Sequence, residues 1–173
     1  KQRFKGSKGL GIDIDVKKVE TACAAGYLAM VYDINDIPEE KMVSFTLLSH
    51  FLEHVPSHID LYNFIQKACM VSTEFVYIQQ PFFDADGYLF ERGFKLFWSD
   101  WRGHPNRMTS LEMFLILRNL KENIEFPMEF SIHAYQQITN SSAPEIHPLT
   151  SPIDQHEHSP DIHPAKAGEE FAV

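Results

Sequence analysis

The sequence has few cysteines, no long apolar run and no excess of positive charge. Its two cysteines, Cys23 and Cys69, fall within apparent helices and are expected to be buried thiols of a cytoplasmic protein. No apolar run approaches the roughly 20 residues that span a bilayer, and no signal-peptide pattern opens the chain. The net charge of -9 argues against a nucleic-acid partner, and no membrane partner is expected.

The composition is that of a folded protein. Hydrophobic residues make up 44% and charged residues 23% of the 173 positions, which suits a single domain with an ordinary core. Residues 82–108 are rich in aromatics but show no regular hydrophobic period, which predicts a lid or insertion in a domain covering residues 1–139. Residues 140–173, rich in proline and histidine, are expected to form an irregular extension or hairpin.

Strand and helix patterns alternate along the chain. Strands are expected at residues 11–15, 28–31, 42–48, 75–78 and 130–138. Asp15 is placed to cap a first helix, which Gly26 ends. Capping boxes that begin at Ser57 and Thr109 open two further helices. This alternation predicts an α/β fold with a mostly parallel sheet, in which the apolar third strand is buried on both faces.

Acidic side chains lie at the ends of the first two expected strands. Asp13 is near the end of the strand at 11–15, and Asp33 follows the strand at 28–31. An acid at the carboxyl end of a parallel strand can accept both hydroxyls of a ribose, which predicts an adenosine site. Folds that bind nucleotides in this way normally carry a glycine-rich turn about twenty residues before the acid. Only residues 1–10 precede the strand here.

Four motifs follow one another in a recognisable order. They are Gly11-Ile12-Asp13-Ile14, the segment 32–38, the segment 48–56 and the strand that ends at Pro81. In this order and spacing the chain resembles the class I S-adenosylmethionine-dependent methyltransferases of the small-molecule type, over residues 9–120. The resemblance implies a three-layer Rossmann-like fold that binds S-adenosylmethionine and methylates a small-molecule acceptor.

The resemblance assigns contacts to the adenosine part of the cofactor by position. It implies that Asp13 binds the ribose hydroxyls and that Ile14 packs on the face of the adenine. It also implies that Asp33 accepts a hydrogen bond from the adenine amino group, with the backbone of Ile34 at the edge of the ring.

The segment after the third expected strand carries further candidates. By the same resemblance, Ser49 and His50 lie near the methionine part of the cofactor. Glu53 and His54 are candidates for catalysis, since histidine titrates near neutrality and can take a proton from a substrate hydroxyl or amine. Methyl transfer from a sulfonium depends mostly on alignment, so this pair could instead serve to fix the turn into the next helix.

The aromatic segment is the expected acceptor pocket, because in related methyltransferases the region after the fifth strand shapes that pocket. The acceptor candidates in this segment are Trp98, Trp101, Arg102 and His104. The alternative is that the aromatic rings cover the sheet and pack on the helix that follows Thr109.

The chain departs from the family in lacking the glycine-rich first motif and its strand. In the family's sheet this strand is central, so its absence would leave two open inner edges. We therefore expect a fragment of a longer protein. It would either pair the strand at 11–15 with the strand at 42–48 or recruit a strand from a neighbour, which allows a homo-oligomer through strand edges. The family often has an acid at the start of its fourth strand, where this chain has Ser44. The family's usual glycine pair before the fifth strand is replaced by Ser72-Thr73.

Other functions remain open. A fragment of an NAD-type Rossmann domain also ends its second strand with an acid, although Asp33 and the segment 49–56 favour the methyltransferase. A non-catalytic binding module could use the aromatic segment or the extension as its working surface. The extension offers histidines that could ligate a transition metal, but surface loops collect such residues and no metal site is expected there. These histidines are His147, His156, His158 and His163.

Overall fold

The chain forms four helices and six short strands in the part that the computed structural model describes, which is residues 6–38, 40–125, 127–135 and 137–155. The helices are α1 (Val16–Ala24), α2 (His58–Val71), α3 (Asp86–Glu91) and α4 (Ser110–Asn123), and two 3-10 turns cover Ile34–Asp36 and Leu52–His54. The strands are β1 (Gly11–Asp13), β2 (Ala29–Val31), β3 (Val43–Ser49), β4 (Ser72–Gln79), β5 (Phe94–Leu96) and β6 (Ile146–Pro148). None of the described helices combines the length and hydrophobicity needed to cross a membrane.

The expected α/β class is confirmed as a set of small sheets. β1 pairs with β2, β3 with β4, and β5 with β6. β1 and β2 run parallel in a register that sets Asp13 opposite Val31, whereas β5 and β6 run antiparallel. A single three-layer Rossmann-like sheet is not confirmed. Pairing of the strand at 11–15 with the strand at 42–48, one of the two expected ways to close the sheet, is not found among the described strands.

β3 and β4 form the longest sheet. Met42 N donates to Val71 O (2.9 Å) at one end, and His50 N donates to Gln79 O (2.8 Å) at the other. Because both bonds join residues with the same sequence offset, the strands run parallel, with α2 as their crossover. The expectation that this strand is buried on both faces is wrong, since only Leu48 of β3 is buried. In a two-stranded sheet neither strand is central, so neither is covered along its length.

The chain divides into two compact units. The first comprises Lys1–Thr46 and Asn63–Val76, and the second comprises Leu47–Tyr62 and Tyr77–Val173. The β1–β2 sheet and α1 lie wholly in the first unit. The β5–β6 sheet, α3 and α4 lie wholly in the second, whereas β3, α2 and β4 contribute residues to both.

In the first unit, α1 begins and ends where the sequence predicts. Asp15 caps the helix by accepting a hydrogen bond from Lys17 N (2.8 Å). Gly26 follows the helix with φ of 83°, a left-handed conformation that favours glycine, and its N donates to Cys23 O (2.9 Å). Cys69 is buried as expected, but Cys23 is exposed, so the prediction of two buried thiols is wrong for the residue on α1.

The second unit has a core between α3 and the β5–β6 sheet. Its buried members are Ala85, Leu89, Leu96, Ile138 and Ile146, with Phe94, Trp98 and Ala143 packed against them. The aromatic segment 82–108 therefore contains a helix and a strand, each too short to show a hydrophobic period. Ile146–Pro148, in the stretch expected to form an irregular extension or hairpin, forms β6.

α4 begins with the capping box that the sequence predicts. Thr109 Oγ1 accepts a hydrogen bond from Glu112 N (3.3 Å), and Glu112 Oε2 accepts one from Thr109 N (2.7 Å). The strand expected at 130–138 is wrong, since the described residues of this stretch form no strand. Among the described residues, no strand pairs with this stretch, and Ile132 is 40% exposed.

Candidate functional site

Two carboxylates lie at the carboxyl ends of neighbouring parallel strands in the first unit. Asp13 is the last residue of β1, opposite Val31 at the end of β2. Asp33 follows two residues later and caps the 3-10 turn Ile34–Asp36. Because β1 and β2 run parallel, both acids belong to the same edge of the sheet, where open α/β sheets bind their ligands.

Each carboxylate is oriented by the backbone that follows it. Asp13 Oδ1 accepts a hydrogen bond from Asp15 N (2.9 Å), and its Oδ2 lies 3.7 Å from Lys18 Nζ. Asp33 Oδ1 accepts one from Asn35 N (2.8 Å). Each carboxylate oxygen has two lone pairs, so Oδ2 of Asp13 can accept from a ligand hydroxyl as well as face Lys18, and the second oxygen of Asp33 can accept from a ligand amino group.

The isoleucines that follow these acids differ in exposure. Ile14 lies between β1 and α1 with 72% of its surface exposed. Ile34 begins the 3-10 turn and is half-buried. An exposed apolar side chain next to Asp13 is suited to pack on a flat ring, whereas the role that the resemblance gives Ile34 needs only its backbone.

In the second unit, β3 ends at Ser49 and the chain turns at His50. The φ of His50 is 50°, in the left-handed region that few residues other than glycine occupy. The amide of Gln79 lies 3.2 Å from His50 Nε2, and His50 Nδ1 lies 3.3 Å from Glu53 Oε1. Since the Gln79 amide donates to Nε2, the His50 proton is on Nδ1 and faces the carboxylate of Glu53.

Glu53, His54 and His104 converge in the second unit and are called here the carboxylate–histidine cluster. One ligand atom of each lies within 4.8 Å of the other two. Glu53 and His54 end the 3-10 turn Leu52–His54, and His104 lies on the loop after β5. Asn106 N donates to Glu53 O (3.2 Å), which fastens that loop to the turn. A residue expected in the acceptor pocket thus joins the pair expected to be catalytic.

Hydrogen bonds to backbone carbonyls fix the tautomer of the two histidines in the cluster. His54 Nδ1 lies 2.6 Å from Gly103 O, and His104 Nδ1 lies 3.1 Å from Trp98 O. Because a carbonyl oxygen only accepts, Nδ1 of each ring carries a proton, so the neutral form of each ring has its lone pair on Nε2. Glu53 is 2% exposed, and its Oε2 has no hydrogen-bond partner in the described part of the chain.

The remaining acceptor candidates differ in their surroundings. The ring of Trp101 lies 5.4 Å from the ring of His104, so it borders the cluster. Trp98 packs on the core and donates its Nε1–H to a backbone carbonyl (2.8 Å). Arg102 Nε lies 3.0 Å from Asp154 Oδ2, so its guanidinium is paired within the protein.

The histidines of the extension do not belong to this cluster in the described residues. His147 lies in β6, is fully buried, and has its ring 5.9 Å from the ring of Phe97. His156, His158 and His163 lie outside the described residues. Among the described residues, the side chains that could hold a metal ion together are Glu53, His54 and His104.

Sequence reasoning identified the members of the cluster but missed their convergence. Glu53 and His54 are adjacent after a strand, which is a local signal. The loop that carries His104 is held to them by hydrogen bonds of Gly103 and Asn106, and neither residue belongs to a recognisable sequence motif.

Comparisons with protein-family models, with curated proteins and with solved structures found no match.

Proposed function

We propose that the protein binds S-adenosylmethionine, with the adenosine part at the carboxyl edge of β1–β2, and transfers its methyl group to a small-molecule acceptor. The observation that carries the proposal is the presence of Asp13 and Asp33 at the ends of two adjacent parallel strands. Ligands of open α/β sheets bind at this edge. The ordered motifs that resemble class I methyltransferases select this cofactor among adenosine compounds.

The first unit offers a distinct contact for each part of the adenosine. Asp13 keeps Oδ2 to accept a ribose hydroxyl while its Oδ1 holds Asp15 N–H. A hydrogen bond of this charged kind contributes about 1.5–3 kcal/mol. Ile14 would cover one face of the adenine, and Asp33 would accept from the adenine amino group, with the backbone of Ile34 at the ring edge.

The second unit carries candidates for the acceptor chemistry. The assignment of Ser49 and His50 to the methionine part of the cofactor stays a prediction from the resemblance. His54, oriented beside Glu53, holds a lone pair on Nε2 that can take a proton from an acceptor hydroxyl or amine. Trp101 offers an apolar wall for the acceptor. Because transfer from a sulfonium depends chiefly on alignment, the proposal does not require this base.

Self-association of a cytoplasmic protein through strand edges belongs to the same proposal. Among the described strands, β1 and β2 pair only with each other. Leu28, Met30 and Val31 are 68%, 41% and 47% exposed. A sheet edge flanked by exposed apolar side chains favours pairing with a second copy of the chain.

Thermal unfolding of the full chain with added ligands tests the proposed cofactor. S-adenosylhomocysteine, the product that methyl transfer leaves, should raise the unfolding midpoint because it binds only the native state. At a hundredfold excess over Kd the gain is about 2.7 kcal/mol, which shifts the midpoint by several degrees. NAD should give no shift. A shift with NAD alone would favour the dinucleotide-binding alternative, and no shift with either ligand would contradict an adenosine site.

A further inference from the structure

We propose that the carboxylate–histidine cluster binds a divalent transition-metal ion of the zinc type, through Glu53, His54 and His104. The three ligand atoms lie within 4.8 Å of one another. A zinc ion holds nitrogen and oxygen ligands at about 2.0–2.2 Å, so small side-chain rotations bring all three onto one ion. This inference does not depend on the proposed methyl transfer.

Both imidazoles are held in the form that ligates a metal. Their Nδ1 protons are donated to the backbone carbonyls of Gly103 and Trp98. In metal sites a ligating histidine typically donates its other ring N–H to a carbonyl or carboxylate, which fixes the tautomer and the ring orientation. His54 and His104 show this arrangement, with the lone pair of each ring on Nε2. Their rings also meet edge to face, with centroids 5.1 Å apart.

The carboxylate of Glu53 supplies a second, independent indication. It is almost fully buried, and Oε2 has no hydrogen-bond partner among the described residues. A buried carboxylate oxygen is costly to leave without a partner, and a cation satisfies it directly. The other oxygen, Oε1, faces the Nδ1–H of His50 at 3.3 Å, so the carboxylate is oriented like the ligand of a built site.

The ligand set indicates the kind of ion. Two imidazoles and one carboxylate are typical of catalytic zinc sites and of non-haem iron(II) sites. Magnesium instead prefers an octahedral shell of oxygens. Three protein ligands leave at least one coordination position open. Since His54 is exposed, we infer that the open position takes water or an oxygen atom of a small ligand, beside the ring of Trp101.

The inference gives Glu53 and His54 a ligating role in place of the acid–base role that the sequence suggested. A metal-bound Nε2 has no lone pair left to accept a proton, so His54 cannot be both a ligand and the base. Zinc binding therefore decides between the two roles for this histidine.

Zinc titration of the full chain, prepared without a histidine tag and stripped with a chelator, tests the site. Isothermal titration calorimetry should give about one zinc ion per chain and no comparable binding of magnesium. Glu53→Gln removes the charge at nearly constant volume, and His54→Gln and His104→Gln each remove one nitrogen ligand. Each of the three should weaken zinc binding by more than the 10–100-fold that is typical of losing a hydrogen-bond partner of a ligand.

Two controls locate the ion. His133 is exposed and bonded to Ser131 Oγ (2.9 Å), so His133→Gln should bind zinc like the wild type. Replacement of His156, His158 and His163 together should also leave binding unchanged.

Because His54 is exposed, His54→Gln should remain folded by circular dichroism even if a variant at Glu53 does not. Unchanged zinc affinity in His54→Gln and His104→Gln, or no zinc binding by the wild type, would overturn the proposal.

Discussion

Side chains that carry the proposed chemistry are held by hydrogen bonds to backbone close by. Asp13 and Asp33 each accept, through one carboxylate oxygen, a hydrogen bond from the backbone N–H two residues ahead. His54 and His104 each give Nδ1–H to a carbonyl. In all four cases the bond determines which atom is left for a ligand. Orientation by neighbouring groups of this kind is what a binding site requires of its contact residues.

Asp86 is a partly buried acid whose ionisation opposes folding. Burial raises its pKa, while the Ser99 hydroxyl at 2.6 Å and the charge of Arg107 act in the opposite direction. The folded state thus holds this proton more tightly than the unfolded state does. The stability that this provides is complete below the unfolded pKa and is lost as the pH rises through the folded pKa.

Replacing Asp86 by asparagine should therefore raise the free energy of unfolding at pH 7. The amide oxygen still accepts from Ser99, and the buried charge is gone. The advantage over the wild type should shrink as the pH is lowered toward about 4, near the ordinary pKa of aspartate. Urea unfolding at a series of pH values measures this difference in the free energy of unfolding. Glu91→Gln removes an exposed charge from the same helix and should change stability by less than about 0.5 kcal/mol. A variant less stable than wild type at pH 7 would contradict this account of Asp86.

At the scale of elements, α3 offers a matched pair of glycines. Gly87 lies inside α3, and Gly93 lies just after it with φ of 78°. A Cβ at either position would meet no atom within 4 Å, so only the backbone conformation distinguishes them. Gly87→Ala should stabilise the protein by about 0.5–1 kcal/mol. Gly93→Ala should destabilise it by about 1–2 kcal/mol, because alanine is strained in the left-handed region.

Chemical denaturation of the two alanine variants measures this difference directly. The signs of the two changes should be opposite, since one substitution relieves the entropy cost of a helical glycine and the other imposes strain. Equal changes of the same sign would mean that the end of α3 is not where the structure has it.

The boundaries of α1 and the start of α4 were predictable because their signals are local. Asp15 and Gly26 bound α1, and the capping box at Thr109 begins α4, each through residues at most four positions apart. Strand pairing was not predictable, because it depends on distant segments. β5 pairs with Ile146–Pro148, in a stretch expected to form an irregular extension or hairpin, and the described residues of 130–138 form no strand.

For the molecule as a whole, the two candidate sites also differ in whether local sequence signals or contacts between distant segments form them. Asp13 and Asp33 could be recognised from sequence because each lies at or just after the end of a strand, and parallel strands bring their ends to one edge. The cluster could not be recognised, since His104 reaches Glu53 and His54 through a loop whose course no periodicity describes. The α/β class followed from alternating patterns, but the number of strands in each sheet did not.

Self-association is the expected behaviour of a 20.0 kDa chain in which β1 and β2 pair, among the described strands, only with each other and are flanked by exposed apolar side chains. Sedimentation velocity should show a mass that rises with concentration for the wild type. Leu28→Lys places a charge on a residue that is 68% exposed beside β2, and it should keep the chain monomeric. Ile59→Lys alters an apolar residue that is 73% exposed on α2 and should leave association unchanged. Equal association of both variants and the wild type would contradict a role for this edge.

The most direct test of adenosine binding at β1–β2 is the affinity of S-adenosylhomocysteine for the wild type, Asp13→Asn and Asp36→Asn, measured by isothermal titration calorimetry. Asp13→Asn keeps an oxygen for Asp15 N–H and removes the charged acceptor. Losing about 1.5–3 kcal/mol should weaken binding by about 10–150-fold. Asp36→Asn, in the nearby 3-10 turn, should bind like the wild type. Equal Kd values for Asp13→Asn and the wild type would contradict the proposed site.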